Sequence, residues 1–211
     1  MARILEPKCR QCRREGEKLY LKGERCYTSK CAIVKRNYAP GVHGVKGKPR
    51  LTEFGTQLRE KQKAKRTYRL LETQFRNYYE TAIKKPGNTG ELMLRMIESR
   101  LDNVVYRAGF GSSRDLARQL VSHGHFLVNG TPVNIASFQT KAGDVITVKQ
   151  NKKGEAYWEN LLKITDQQRG EIPSWLQVDR KGYQITVTQL PSMEIIQSPI
   201  NMTLIVEFYS R

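Results

Sequence analysis

The stretch ARQLVSHGHFLVNG, residues 117–130, changes periodicity within its own length. Leu116, Ala117, Leu120 and Val121 recur at helical spacing behind Ser113, a good N-cap, and Gly124 suits the left-handed conformation that closes a helix. FLVNGTPV then reads as strand, Asn-Gly turn, strand. His123 therefore ends the helix and His125 begins the strand. A metal at this pair would need further ligands, and the nearest carboxylates, Asp115 and Asp144, fall on a helix and in a turn. Base catalysis lacks an orienting partner as well, so neither chemistry is expected of the two histidines.

Working outward, PGNTG (86–90) is a break. Beyond it Leu94, Ile97, Leu101, Val104, Val105 and Ala108 predict one helix ending near Gly109. Arg100, Asn103 and Arg107 align on another flank of it, as Arg114, Arg118 and Ser122 do on the next helix. Downstream, Lys141–Asp144 reads as a turn and Val145–Lys149 as a strand. EAYWENLLKI (155–164) suggests a short helix carrying Trp158, Leu161 and Leu162, and WLQVDRKGYQITVTQL two strands joined by Asp-Arg-Lys-Gly. The final NMTLIVEFYSR reads as a strand by β-branched content or as a helix capped by Asn201.

Charge points to the partner class. The net charge of +17 is concentrated: residues 1–85 hold 23 basic and 8 acidic side chains, residues 86–211 hold 14 and 12. Such an excess usually answers a polyanion. Phe54, Phe75, Tyr78, Tyr79 and four cysteines inside the basic segment argue for order over a disordered tail. No apolar run approaches the roughly 20 residues that span a bilayer, and MARILEPKCR lacks a signal peptide's apolar core. A cytosolic protein with reduced thiols and no membrane association is expected.

Thr52 and Glu53 look like a helix start, with Phe54 and Leu58 one turn apart. Arg59, Lys61, Lys63, Lys65, Arg66 and Arg69 follow with one acid, Glu60, among them. Like charges one turn apart repel, so a bound anion is expected on this helix. From about Thr73 to Lys85 a second helix presents Phe75, Tyr78, Tyr79, Ala82 and Ile83 as a core stripe.

All four cysteines lie in residues 9–31, as Cys9 and Cys12, then Cys26 and Cys31. Two short loops each supplying two thiolates are what a tetrahedral structural zinc site requires; an iron-sulfur cluster is the lesser metal reading, and disulfides fit a reducing compartment poorly. Four thiolates leave no open position for a catalytic water. Such a site would hold together a basic segment with too few apolar residues to fold alone.

The run SRLDNVVYRAGFGSSRDLARQLVSHGHFLVNGTPVNIASFQTKAGDVI (99–146) closely resembles the helix-helix-hairpin RNA-binding module of the S-four family of bacterial small-subunit ribosomal proteins. CRQCRREGEKLYLKGERCY, YAPGVHG, LREKQKAKRTY, QFRNYYE and the terminal IVEFYSR resemble that family's segments in order, so the likeness covers essentially the whole chain. It implies a primary binder of small-subunit rRNA that nucleates assembly of the RNA's 5′ domain. It also implies a place by the mRNA entry channel near the proteins called S-three and S-five, a role in translational accuracy, and a monomer within a cytoplasmic ribosome. Since all four cysteines are present, the zinc-bearing version is implied. The resemblance puts the RNA surface on the second helix and hairpin, which supports Arg114, Arg118, His123 and His125 as contacts; Arg100 and Arg107 rest on helix register alone. It further implies that the C-terminal end packs back on the N-terminal helices.

The architecture expected is α+β. A zinc-binding basic extension (1–45) precedes a discontinuous, mainly helical domain (46–90 with about 165–211), and the RNA-binding module occupies 91–164. An RNA pseudouridine synthase is the enzyme alternative, because many carry the same module and place a catalytic Asp in an Arg-Leu-Asp triplet, spelled here by Arg100, Leu101 and Asp102. The remaining sequence lacks that enzyme's large catalytic domain. A zinc-bearing nucleic-acid-binding regulator shares the charge but lacks a helix-turn-helix or finger pattern.

Overall fold

The structure, a computed structural model, describes residues 4–47, 50–163, 172–192, 196 and 199–211. In chain order the helices are α1 (Lys8–Glu15), α2 (Ala32–Lys35), α3 (Glu53–Thr67), α4 (Glu72–Ile83), α5 (Thr89–Glu98), α6 (Leu101–Arg107), α7 (Arg114–Ser122), α8 (Gln150–Lys153), α9 (Ala156–Lys163) and α10 (Met202–Ser210). The strands are β1 (Phe126–Val128), β2 (Thr131–Pro132), β3 (Val145–Val148), β4 (Leu176–Asp179) and β5 (Gln184–Val187). Two compact units result, Met1–Leu94 with Ser198–Arg211, and Arg95–Gln197. Helices and an antiparallel sheet together make the chain α+β.

In the first unit Thr52 caps α3, its Oγ1 accepting the Gly55 N–H at 3.1 Å. Phe75, Tyr79 and Ala82 of α4 are buried. Tyr78 is only half-buried and Ile83 is exposed, because each lies about 100° around the helix from the buried residue beside it. The C-terminal segment is a helix despite its β-branched content. Asn201 Oδ1 accepts the N–H groups of Thr203 and Leu204, satisfying two donors that a helix start leaves unpaired. This α10 packs on α3 and α4: Phe208 meets Phe54 at 5.6 Å between ring centroids, and Tyr209 stacks on Tyr79 at 5.0 Å.

In the second unit the sheet runs β2-β1-β3-β5-β4, every pair antiparallel. The helix closed by Gly124 (φ +71°) and the Asn129–Gly130 turn (φ +50° and +81°) lie where the local signals put them. Trp158 of α9 is fully buried and meets Phe110, Phe126, Tyr157 and Tyr183 edge-on. Leu161 is buried too; the Leu162 side chain and residue 164 lie outside the described residues.

Two expectations are revised here. The helix expected in one piece from Leu94 to Ala108 is two, α5 and α6, separated at Ser99–Arg100. Segment 136–140 takes the hydrogen bonds a continuous helix would have used: Leu101 N–H donates to Phe138 O at 2.9 Å, Asp102 N–H to Ala136 O at 3.2 Å, and Thr140 N–H to Ser99 O at 2.9 Å. The Glu98 carbonyl thereby freed accepts the Asn103 side-chain amide at 3.0 Å. Apolar spacing continues through the break, so periodicity alone does not register it. Strands β4 and β5 also join the second unit's sheet, with Val145 opposite Thr186 and Ile146 opposite Ile185, instead of the helical domain to which about 165–211 was assigned. Residues 164–171 lie outside the described residues.

Candidate nucleic-acid interface

Arg59, Lys61, Lys63, Lys65 and Arg66 of α3 pair with the protein's own acids. Lys61 and Lys65 donate to Glu72 of α4 at 2.7 and 2.8 Å, and Tyr209 OH joins them at 2.8 Å. Burial pushes the Glu72 carboxyl up, yet these three donors hold it down at about 2. Lys63 pairs with Glu60 and Glu17 at 3.0 and 3.4 Å, and Arg66 and Arg59 both meet Glu15 of α1. Arg69 donates to Gln11 Oε1 and to the Ile4 carbonyl. Lys61, Lys63 and Arg69 are buried. Apart from Glu60, the carboxylates that meet the cations expected to hold an anion are distant in sequence, which local spacing cannot reveal.

The arginines of the two aligned flanks are held in two internal clusters, one on Asp102 and one on Glu98 and Asn103. Arg100 chelates Asp102, Nε to Oδ1 at 3.0 Å and Nη2 to Oδ2 at 2.8 Å, while Arg118 Nε reaches Oδ2 at 2.7 Å. Arg107 donates twice to the fully buried Glu98, at 3.1 and 2.6 Å. Asn103 bridges that carboxylate to Arg114, whose Nε donates to Asn103 Oδ1 at 2.9 Å and whose guanidinium lies 4.4 Å above the Tyr106 ring. Arg100, Arg114 and Arg118 are buried, where an exposed phosphate-binding flank had been expected. The carboxylate of the Arg-Leu-Asp triplet is occupied by two guanidinium groups.

The two histidines part company. His123 is exposed at the end of α7. His125 is buried against Trp158, its Nδ1 accepting the indole N–H at 3.4 Å, so the neutral ring carries its proton on Nε2. Burial lowers its pKa, Lys152, His123 and Lys149 add to the effect, and Glu155 opposes them. His125, expected as an RNA contact, stands immediately before β1 and packs inward against Trp158. Lys149 keeps the corner basic; its ammonium lies 3.6 Å from where a Gly124 side chain would begin.

In the first unit Cys9 and Cys12 on α1, Cys26 on the 3₁₀ turn Gly23–Cys26 and Cys31 before α2 line one cavity of about 20 Å³. All four are free thiols. The Lys22 N–H points at Cys26 Sγ at 3.4 Å and the Leu19 N–H at Cys12; burial raises both thiols' pKa. Among the described residues no group of three or more His, Cys, Asp or Glu side chains stands in an arrangement that would hold a metal ion as placed. The donor types and the common cavity nonetheless suit a soft cation, with backbone N–H groups directed at two of the sulfurs.

Basic side chains that do face solvent lie mostly before α3: Arg10, Arg14, Lys22, Arg25, Lys35 and Arg36 are exposed. No helical register singles them out, so only the segment's overall charge signals them. No described helix is long and apolar enough to cross a membrane.

Residues 3–98 match the family model described as Ribosomal protein S4/S9 N-terminal domain, and residues 99–146 match the S4 domain. Over the full length of both chains, the sequence is 54% identical to a small ribosomal subunit protein uS4A of Alkaliphilus metalliredigens and 54% to a uS4 of Desulforamulus reducens. It is 53% identical to the uS4 of Clostridioides difficile, again over both full lengths. The chain belongs to the uS4 family of ribosomal proteins. That family is structural and not enzymatic. Its N-terminal model ends at residue 98, where α5 ends and the internal arginine network begins.

Proposed function

We propose that the protein is a structural component of the small ribosomal subunit, bound to its rRNA in the cytoplasm as a single copy. The observation that carries this is the 54% identity, end to end, with proteins named for that particle. The chemistry agrees. RNA junctions can be held by phosphate contacts from Lys and Arg together with shape recognition, without a reactive group. Exposed cations before α3 would supply the phosphate contacts, and His123 with Lys149 would do so at the hairpin corner. The buried arginines would act indirectly, by fixing α6 against α7. Within this reading the protein nucleates folding of the 5′ domain and lies by the mRNA entry channel beside S-three and S-five, where it influences translational accuracy. Footprinting the purified protein on naked small-subunit rRNA tests it: protection confined to a multi-helix junction of the 5′ domain is expected, and uniform or absent protection overturns the reading.

We also infer that Cys9, Cys12, Cys26 and Cys31 hold one structural zinc ion as thiolates. Their shared cavity supports this, as does the scarcity of buried apolar residues around it, where Leu19 and Leu21 pack with Cys12 and half-buried Ile33. A bound zinc would cross-link α1 to the loop that follows. An iron-sulfur cluster is the outcome that elemental analysis would distinguish.

A further inference from the structure

Tyr20 is among the few described residues other than glycine with positive φ (+52°), a strained conformation for a bulky side chain. Its neighbours explain how it is held. Leu19 and Leu21 are both buried against Cys12, so the residue between them is turned outward. There the Tyr20 ring meets Tyr27 at 5.1 Å between centroids, and the two remain 38% and 52% exposed. Lys22, Arg25 and Lys30, all exposed, belong to the same loop, and Arg25 Nε donates to the Lys30 carbonyl at 3.3 Å. Two solvent-facing aromatic rings inside a cationic loop, one on strained backbone, are not needed to fill the small core beneath them.

We propose that Tyr20 and Tyr27 form a stacking platform for an unpaired base of the bound RNA. The occupant is argued from the surroundings. A nucleotide combines an anionic phosphate, which the loop lysines and Arg25 would hold, with a flat π-face, which the tyrosines match whatever the base. The proposal rests on the ribosomal reading above.

The test measures affinity for a transcript of the small-subunit rRNA 5′ domain at several salt concentrations. Full-length wild type is compared with Tyr20→Ala, Tyr27→Ala and the two Tyr→Phe variants. Stacking releases no counterions. Each alanine change should therefore weaken binding roughly five- to hundredfold at every salt concentration, leave the slope of log affinity against log salt unaltered, and be rescued by Phe. Should an alanine variant fail to fold, Tyr→Leu keeps the apolar bulk without the π-face and is expected to show the same loss. Alanine variants that bind within twofold of wild type, or phenylalanine variants that lose as much as alanine ones, overturn the platform while leaving the ribosomal reading intact. Variants that lose only a neighbouring protein's attachment, with RNA affinity unaltered, overturn the platform in the same way. Wild type that ignores the transcript overturns both.

Discussion

Arg118 donates to Asp102 across the α6–α7 interface at 2.7 Å, onto a carboxylate that Arg100 already chelates. All three side chains are buried. Removing one partner of such a group leaves charge in a low-dielectric site with nothing to offset it, which typically costs about 3 to 5 kcal/mol. Asp102→Ala strands two guanidinium groups and should be the most damaging single change in the second unit, whereas Arg118→Ala leaves Asp102 its Arg100 partner and should cost less. Urea unfolding of both variants checks the order; equal losses, or an Asp102→Ala loss under about 1 kcal/mol, would show that water relieves the network.

His125 gives a pH signature. Its folded pKa is lowered, mainly by burial, so the unfolded chain takes up the proton first as pH falls. The stability held by the neutral ring is therefore complete above the unfolded value, about 6.5, and is lost as pH drops from there toward the lower folded value. His125→Asn should be less stable than wild type at pH 8, with a gap that narrows on acidification through this window. A gap that stays constant between pH 8 and 5 contradicts the buried neutral ring.

The outline of the second unit was legible because its signals are local: a Ser113 cap, an αL glycine, an Asn-Gly turn and alternating strands each act within a few residues. What escaped was set by contacts between distant residues. Glu72, Glu15 and Glu98 neutralise arginines and lysines that in sequence look free to bind an anion, and only the packing of α1, α4 and α10 around α3 brings the first two within reach. The same holds for His125, whose inward turn depends on Trp158, 33 residues away. The end of the chain was ambiguous for another reason. Met202–Ser210 has strand-like composition, and a single asparagine side chain, with Tyr79 and Phe54 to pack against, decides for helix.

For the cysteine cavity the expected result is one zinc per chain in protein purified without chelator. Cys26→Ser should abolish it and loosen α1 and the loop to Cys31, leaving α6, α7 and the sheet unaltered by amide exchange. Strong chelation of wild type should reproduce the Cys26→Ser pattern. Iron in place of zinc would reassign the site, and four thiols that titrate freely in native protein would remove it.

The division between paired and solvent-facing cations predicts how binding responds to salt. Each phosphate neutralised contributes about 0.7 to 0.9 to the slope of log affinity against log salt. Arg14, Lys35 and Arg36 are exposed, so replacing all three with Gln should lower the slope by roughly two units, provided they face the RNA. Lys65 and Arg107 are held by Glu72 and Glu98, so Lys65→Gln and Arg107→Gln should each lower it by much less than one unit, even where they reduce stability. Measurements on one rRNA fragment, with circular dichroism to confirm that each variant is folded, separate the two classes. A full unit lost on changing Lys65, with little change from the exposed triple variant, would return the RNA surface to α3.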